Sequence, residues 1–155
     1  MREKSNIIVG VAMSIFTAVA IFLLFLSMFT NGDFGAERGN GFEVIFGAAN
    51  NGSYNAVPLL IVAFVVECVA IISSIVGAAM VGKLQGIVLG STGLLLIVSG
   101  VLFLLSVSLY KGANADLITG NADTLALGAA PITNAVLVFI GGLLGVYGGY
   151  KAFKA

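Results

Sequence analysis

The sequence predicts an all-α membrane protein: a four-transmembrane-helix bundle with a small extracellular β element in its first outer loop. Three observations carry that prediction. Of 155 residues, 59% are hydrophobic and only 9% charged, whereas a soluble domain carries about 25% charged residues. The apolar residues gather into stretches that match the roughly 20 helical residues needed to cross a hydrocarbon core of about 30 Å. The two halves of the chain also share one plan: an apolar span, a polar loop, then a proline (Pro58, Pro131) opening the next span. Proline is tolerated there because the first turn of a helix has no partner for its N–H.

The first span is predicted over residues 7–30, after Arg2, Glu3 and Lys4. Its basic start and Ala18-Val19-Ala20 imitate a signal peptide. The apolar part runs straight through that site, so the segment is expected to stay as a helix. Gly10, Ser14 and Ala18 set small residues four apart along it.

Residues 31–56 form the first outer loop, with Asp33, Glu37, Arg38 and Glu43. Inside it, Gly41 to Gly47 reads as a short strand, since Phe42, Val44 and Phe46 alternate as a half-buried strand requires. Such a strand needs an edge partner, supplied by the second loop or by the same strand of a neighbouring subunit. Asn51-Gly52-Ser53 matches a glycosylation sequon.

Val57 to Tyr110 is an apolar run interrupted only by Glu67 and Lys83. It is too long for one crossing and must fold back once. Gly82-Lys83-Leu84-Gln85-Gly86 at its midpoint predicts a helical hairpin, spans 57–82 and 84–110, with Lys83 at the apex. Glu67 then lies nine residues inside Pro58, about 14 Å along the helix and close to the bilayer centre. An intramembrane acid is by default a functional candidate. Ala63, Glu67, Ala70, Ser74 and Ala78 recur every three or four residues and form one small, polar stripe, while Val62, Val65, Val69 and Ile72 point elsewhere. Glu67 is therefore expected to face other helices. Ser99 stands as far after Lys83 as Glu67 stands before it, so the two should meet. No Lys, Arg or His shares that depth, and the acid is expected to be neutral. On the third span Gly86, Gly90 and Gly93 form a ladder for close helix packing.

The second outer loop, 112–130, carries Asp116 and Asp123, with Leu117, Ile118, Leu125 and Leu127 giving it an apolar side against the first loop. The fourth span, 131–150, places Gly141, Gly145 and Gly148 on one face and Gly142 and Gly149 beside it. Tyr147 and Tyr150 suit an interface.

Orientation follows from counting basic residues. Arg2, Lys4, Lys83, Lys151 and Lys154 fall on one side, Arg38 and Lys111 on the other. The positive-inside rule puts both termini and the hairpin turn in the cytoplasm of a multi-pass cell-membrane protein.

The same sequence narrows the function. Zero net charge without a basic cluster argues against a nucleic-acid partner. With no His and the single Cys68, the familiar zinc sites are excluded and no intrachain disulfide can form. Asp33, Glu37 and Glu43 match no metal-loop spacing. No Ser or Thr has a basic partner nearby in sequence. An enzyme is not expected, and no catalytic residue, metal or cofactor is assigned.

Four spans, both ends inside, a longer first outer loop with a strand and a shorter second one: this layout resembles the claudin-like tetraspan proteins. In that family the outer strands form a small sheet above a four-helix bundle, and lateral contacts can polymerise the protein. The family's first loop bears a Trp and a Cys pair, whereas this chain has no Trp and only Cys68. The Gly41 to Gly47 segment also resembles a motif in uncharacterised four-span proteins of bacteria.

The resulting expectation is a structural or assembly protein, surrounded by membrane lipids, that forms a homo-oligomer or joins another membrane protein as an accessory subunit. The competing expectation is a small proton or ion channel or transporter using Glu67.

Overall fold

The long apolar stretches form helices, which pair their backbone N–H and C=O groups within each segment. The computed structural model describes residues 2–30, 39–118 and 125–155. It has four helices long and apolar enough to cross a membrane. Asp33, Glu37, Arg38 and Asp123 lie outside the described residues.

Helix α1 spans Arg2–Phe22 and tightens into a 3-10 turn at Leu23–Phe25. The chain then leaves the helix as strand β1, Phe29–Thr30, so the first helix ends well before Thr30. Two short helices follow, α2 (Gly41–Phe46) and α3 (Ala49–Gly52). Helix α4, Pro58–Ala79, has its proline in the first turn. The reversal into α5 (Gly82–Leu104) runs through Met80 and Val81 and ends on Gly82, whose φ of +67° lies in the left-handed region. Glycine makes that turn without a Cβ clash. Lys83 therefore sits in the first turn of α5 and not at the apex. Helix α5 does not run unbroken to Tyr110: Leu105 departs from helical geometry, and α6 (Ser106–Ala113) carries the chain on. The 3.0 Å bonds Leu105 N–H to Val101 O and Leu109 N–H to Leu105 O keep the ladder closed across the bend. Strand β2, Ala126–Leu127, precedes α7, Ala129–Lys154.

The strand expected at Gly41 to Gly47 is instead helix α2. Its sequence holds a capping box that alternation of apolar residues conceals. The Asn40 side chain accepts from the Glu43 N–H at 3.0 Å, and the Glu43 carboxylate accepts from the Asn40 N–H at 2.9 Å. Both bonds satisfy donors that a first helical turn leaves without partners. Gly47, at φ +76°, closes the other end. Val44 consequently turns away from Phe42 and Phe46, which stand four apart on one helix face and both meet the ring of Phe64. Val44 is buried, Phe46 is half exposed, and Phe42 lies between the rings of Phe25 (4.8 Å) and Phe64 (5.8 Å). The β element lies elsewhere: β1 pairs antiparallel with β2, Phe29 opposite Leu127. The second loop does supply a strand, but it pairs with Phe29–Thr30, at the end of the predicted first span.

The long helices form a closed ring in the order α1, α4, α5, α7, with α5 and α7 the most intimate pair. Asn6 donates to Gln85 across 2.9 Å, and Val9 lies against Gly148. Both termini and the α4–α5 turn therefore share one end of the bundle, here called the terminal end; the loops cap the other. The core falls into two clusters. Near the loops, Leu24, Met28, Phe29, Leu60, Ala63, Phe103, Tyr110 and Ala130 pack together with Val44 and Ile45 of α2. Towards the terminal end, Met13, Ala20, Ala70, Leu89, Leu96 and Val138 form the second.

Candidate functional site

Between the two clusters lies a polar layer. On α4, Glu67 stands between Ala63 of the loop-end cluster and Ala70 of the terminal-end cluster. Ser99 stands likewise between Phe103 and Leu96 on α5, and Asn134 between Ala130 and Val138 on α7. All three side chains are buried. Each occupies an inward helix position, so the periodicity that buries apolar neighbours buries the polar residue with them.

The three side chains meet. Ser99 Oγ lies 2.7 Å from Glu67 Oε1, and Asn134 Nδ2 donates to Glu67 Oε2 at 3.0 Å. Asn134 Nδ2 also donates to the backbone carbonyl of Ala20 on α1 at 3.3 Å. One carboxyl group thus links α4 to α5 and α7, and through Asn134 to α1. Ser99 Oγ lies 3.2 Å from the carbonyl of Ala63 as well. Its single proton has two acceptors within reach, so the site accommodates either state of the acid. With a carboxylate, the hydroxyl donates to Oε1. With a carboxylic acid, Oε1–H donates to Ser99 and Ser99 donates onward to Ala63. The chemistry available is to hold or exchange one proton. Asn134 Oδ1 is buried and has no hydrogen-bond partner among the described residues. Turning the amide would set Oδ1 against the Ala20 carbonyl oxygen, which can only accept.

Asn134 has no counterpart in the sequence reading. It lies three residues after Pro131 while Glu67 lies nine after Pro58, so counting from the prolines sets them at different depths. The signal that could have found it is an amide inside an otherwise apolar helix, which needs a buried partner as much as an acid does.

The chosen glycines serve a different purpose. A Cβ at Gly86 would meet Gly149 O at 2.7 Å, one at Gly93 would meet Gly142 O at 2.5 Å, and one at Gly145 would meet Gly93 Cα at 2.9 Å. Gly90 is looser, with Gly149 Cα at 3.9 Å. Gly148 faces Val9 of α1, and Gly141 has ordinary contacts with Leu96 and Phe16. These glycines are filled by neighbouring helices of the same chain. Smaller polar contacts continue along the bundle: Ser73 with Thr92 at 2.9 Å, and Asn6 with Gln85. Among the described residues no group of three or more His, Cys, Asp or Glu could hold a metal ion.

Compared with known proteins, the sequence matches no protein-family model and no curated protein.

Proposed function

We propose that the chain is a multi-pass protein of the cell membrane with both termini in the cytoplasm, and that its role is structural. In this reading it is a four-helix unit that packs laterally against copies of itself or serves as an accessory subunit of a membrane complex, without catalytic chemistry of its own. The observation that carries this is the bonding of Glu67. Both carboxyl oxygens are engaged, four helices are joined through them, and apolar clusters lie above and below. Such a layer fastens and registers a bundle. The claudin-like layout points the same way, by analogy of architecture alone. Because the glycine faces are filled within the chain, lateral contact falls to the outward aliphatic faces and to the loop cap. Size and mass measurements in mild detergent and in native membrane extracts test it. Oligomers, or a co-purifying membrane protein in fixed ratio, are expected. A monomer without partners in both would sink the assembly role.

One observation favours a second reading, a proton or ion channel. Buried polar side chains recur along the bundle, at Asn6 and Gln85, then Thr92, then Glu67, Ser99 and Asn134, then Ser106 and Asn114, and Asn134 Oδ1 is unpartnered. Proton and cation flux into liposomes, wild type against Glu67→Gln, separates the two. The substitution keeps size and hydrogen bonding but removes titration. Flux lost with Glu67→Gln would replace the structural reading. Absence of flux in both forms, with similar melting temperatures, leaves Glu67 as a fastener.

A further inference from the structure

At the terminal end a cavity of about 210 Å³ opens between α1 and α7, lined by Ser5, Asn6, Tyr150, Lys151, Lys154 and Ala155. We infer that it binds the phosphate of an anionic glycerophospholipid headgroup. The inference rests on the membrane reading above, with this end at the cytoplasmic interface.

Charge carries the first part of the argument. Lys151 and Lys154 line the cavity, Lys4 precedes the lining Ser5, and Lys83 reaches the same end from the first turn of α5. The acidic side chains whose positions are described, Glu43, Glu67 and Asp116, all lie elsewhere. Among the described residues, Lys83, Lys151 and Lys154 rest on rings. Lys154 Nζ is 4.5 Å from the Tyr150 ring centre, Lys151 Nζ is 5.3 Å from that of Tyr147, and Lys83 Nζ is 5.8 Å from that of Phe153. A ring face steadies an ammonium group but accepts none of its hydrogen bonds fully, so the N–H donors stay available to an anion. Asn6 supplies a buried wall, its amide fixed by Gln85.

Shape carries the second part. Tyr150 belongs both to the cavity and to the outward face of α7, where it is 58% exposed. Tyr147 and Leu143 continue that face at helical spacing and are 57% and 62% exposed. On α1, Ile8 continues the face of Ser5 and is 68% exposed. An apolar surface therefore runs from the mouth of the cavity along both helices. A free phosphate has no use for it, whereas acyl chains do. Basic pockets between helices at the cytoplasmic interface are suited to anionic headgroups.

The test uses the full chain reconstituted into phosphatidylcholine vesicles with or without phosphatidylglycerol, mildly extracted, with retained lipid read by native mass spectrometry. Preferential retention of phosphatidylglycerol is expected. Lys151→Gln with Lys154→Gln should weaken it roughly thirtyfold, the sum of about 1 kcal/mol for each of two lysines. Lys111→Gln, at the other end, should leave it unchanged. Equal retention of both lipids, or retention untouched by the double substitution, would overturn the site. Inorganic phosphate raising the melting temperature of delipidated protein as strongly as phosphatidylglycerol would make the ligand a free anion and reject the lipid. Orientation is read separately, from labelling of Ala155→Cys in a Cys68→Ser background. Labelling from outside intact cells would reject the cytoplasmic placement, while the retention result would still decide the lipid site.

Discussion

The two halves of the bundle exclude empty space by opposite means. On the terminal side of the Glu67 layer, α5 and α7 approach until backbone meets backbone, and Gly86, Gly93, Gly142, Gly145 and Gly149 lack the Cβ atoms that would strike the facing backbone. On the loop side large buried side chains fill the interior: Leu24, Phe29, Phe103 and Tyr110, with Val44 and Ile45 contributed by α2. Tyr110 sits between the rings of Phe29 (5.0 Å) and Tyr54 (5.8 Å). Even along a single helix the rule changes, since Gly100 of α5 already faces the ring of Phe139 and not a glycine of α7. If the bundle lies in lipid, where tails are as apolar as the core, close packing must supply most of the attraction between helices. A glycine seam is the most direct route to it. The loop end can use bulk because a cap of short helices and a strand pair covers it.

The comparison predicts opposite sensitivities. The loop half should fail on deletion, the terminal half on addition. The largest effect is expected from Phe103→Ala, which empties a fully buried ring site and should cost about 3–5 kcal/mol, read from unfolding in detergent. Next comes Gly93→Ala. Its new methyl would press on Gly142 O and Val146 N, both backbone atoms that cannot rotate away, so a loss of about 1–3 kcal/mol is expected. Gly90→Ala, less than a turn away, meets its nearest neighbour at 3.9 Å. It should be neutral or gain up to about 1 kcal/mol from helix propensity. Equal losses at positions 90 and 93 would mean that the seam is not what holds this half together.

How much of this was legible in the sequence differs between the halves for the same reason. Helix packing obeys a period, and the period can be counted. The inward stripe of Ala63, Glu67, Ala70, Ser74 and Ala78 is buried, Val62, Val65, Val69 and Ile72 are exposed, and Glu67 touches Ser99 as the count from the hairpin turn implied. The loop cap obeys no period. Six residues of Gly41–Phe46 fit both a strand and a helix, and the decision was made by Asn40, Glu43 and Gly47, whose capping bonds are local chemistry and not alternation. Asn134 stayed hidden because nothing in its neighbourhood announces a partner on another helix. The glycine stripes were visible, but whether they served neighbours inside the chain or outside it was not, since spacing defines a face and not its occupant. Asn40→Ala tests the capping argument. It should lower stability by about 1 kcal/mol and loosen α2, read by hydrogen exchange at residues 43–47. An unchanged exchange rate would show that burial of Val44 and Ile45 holds the segment without its cap.

The smallest effect is expected at Ser106, and its sign sharpens the comparison most. Ser99 and Ser106 are both buried serines, seven positions apart, one in the polar layer and one lying, in sequence, between Phe103 and Tyr110 of the loop-end cluster. Ser99 Oγ is bonded to Glu67. Ser106 Oγ has no hydrogen-bond partner among the described residues. Removing the first hydroxyl leaves Oε1 of the acid without its hydrogen-bond partner, whereas removing the second takes away a polar atom the core does not use. An unsatisfied buried hydroxyl is a net cost, so replacing it with a methyl group relieves that cost while keeping nearly the same volume. Ser106→Ala should therefore leave the melting temperature unchanged or raise it slightly, while Ser99→Ala lowers it. A drop at Ser106 as large as that at Ser99 would mean that the polar layer extends into the loop half, and the division between an apolar cap and a polar fastener would have to be redrawn.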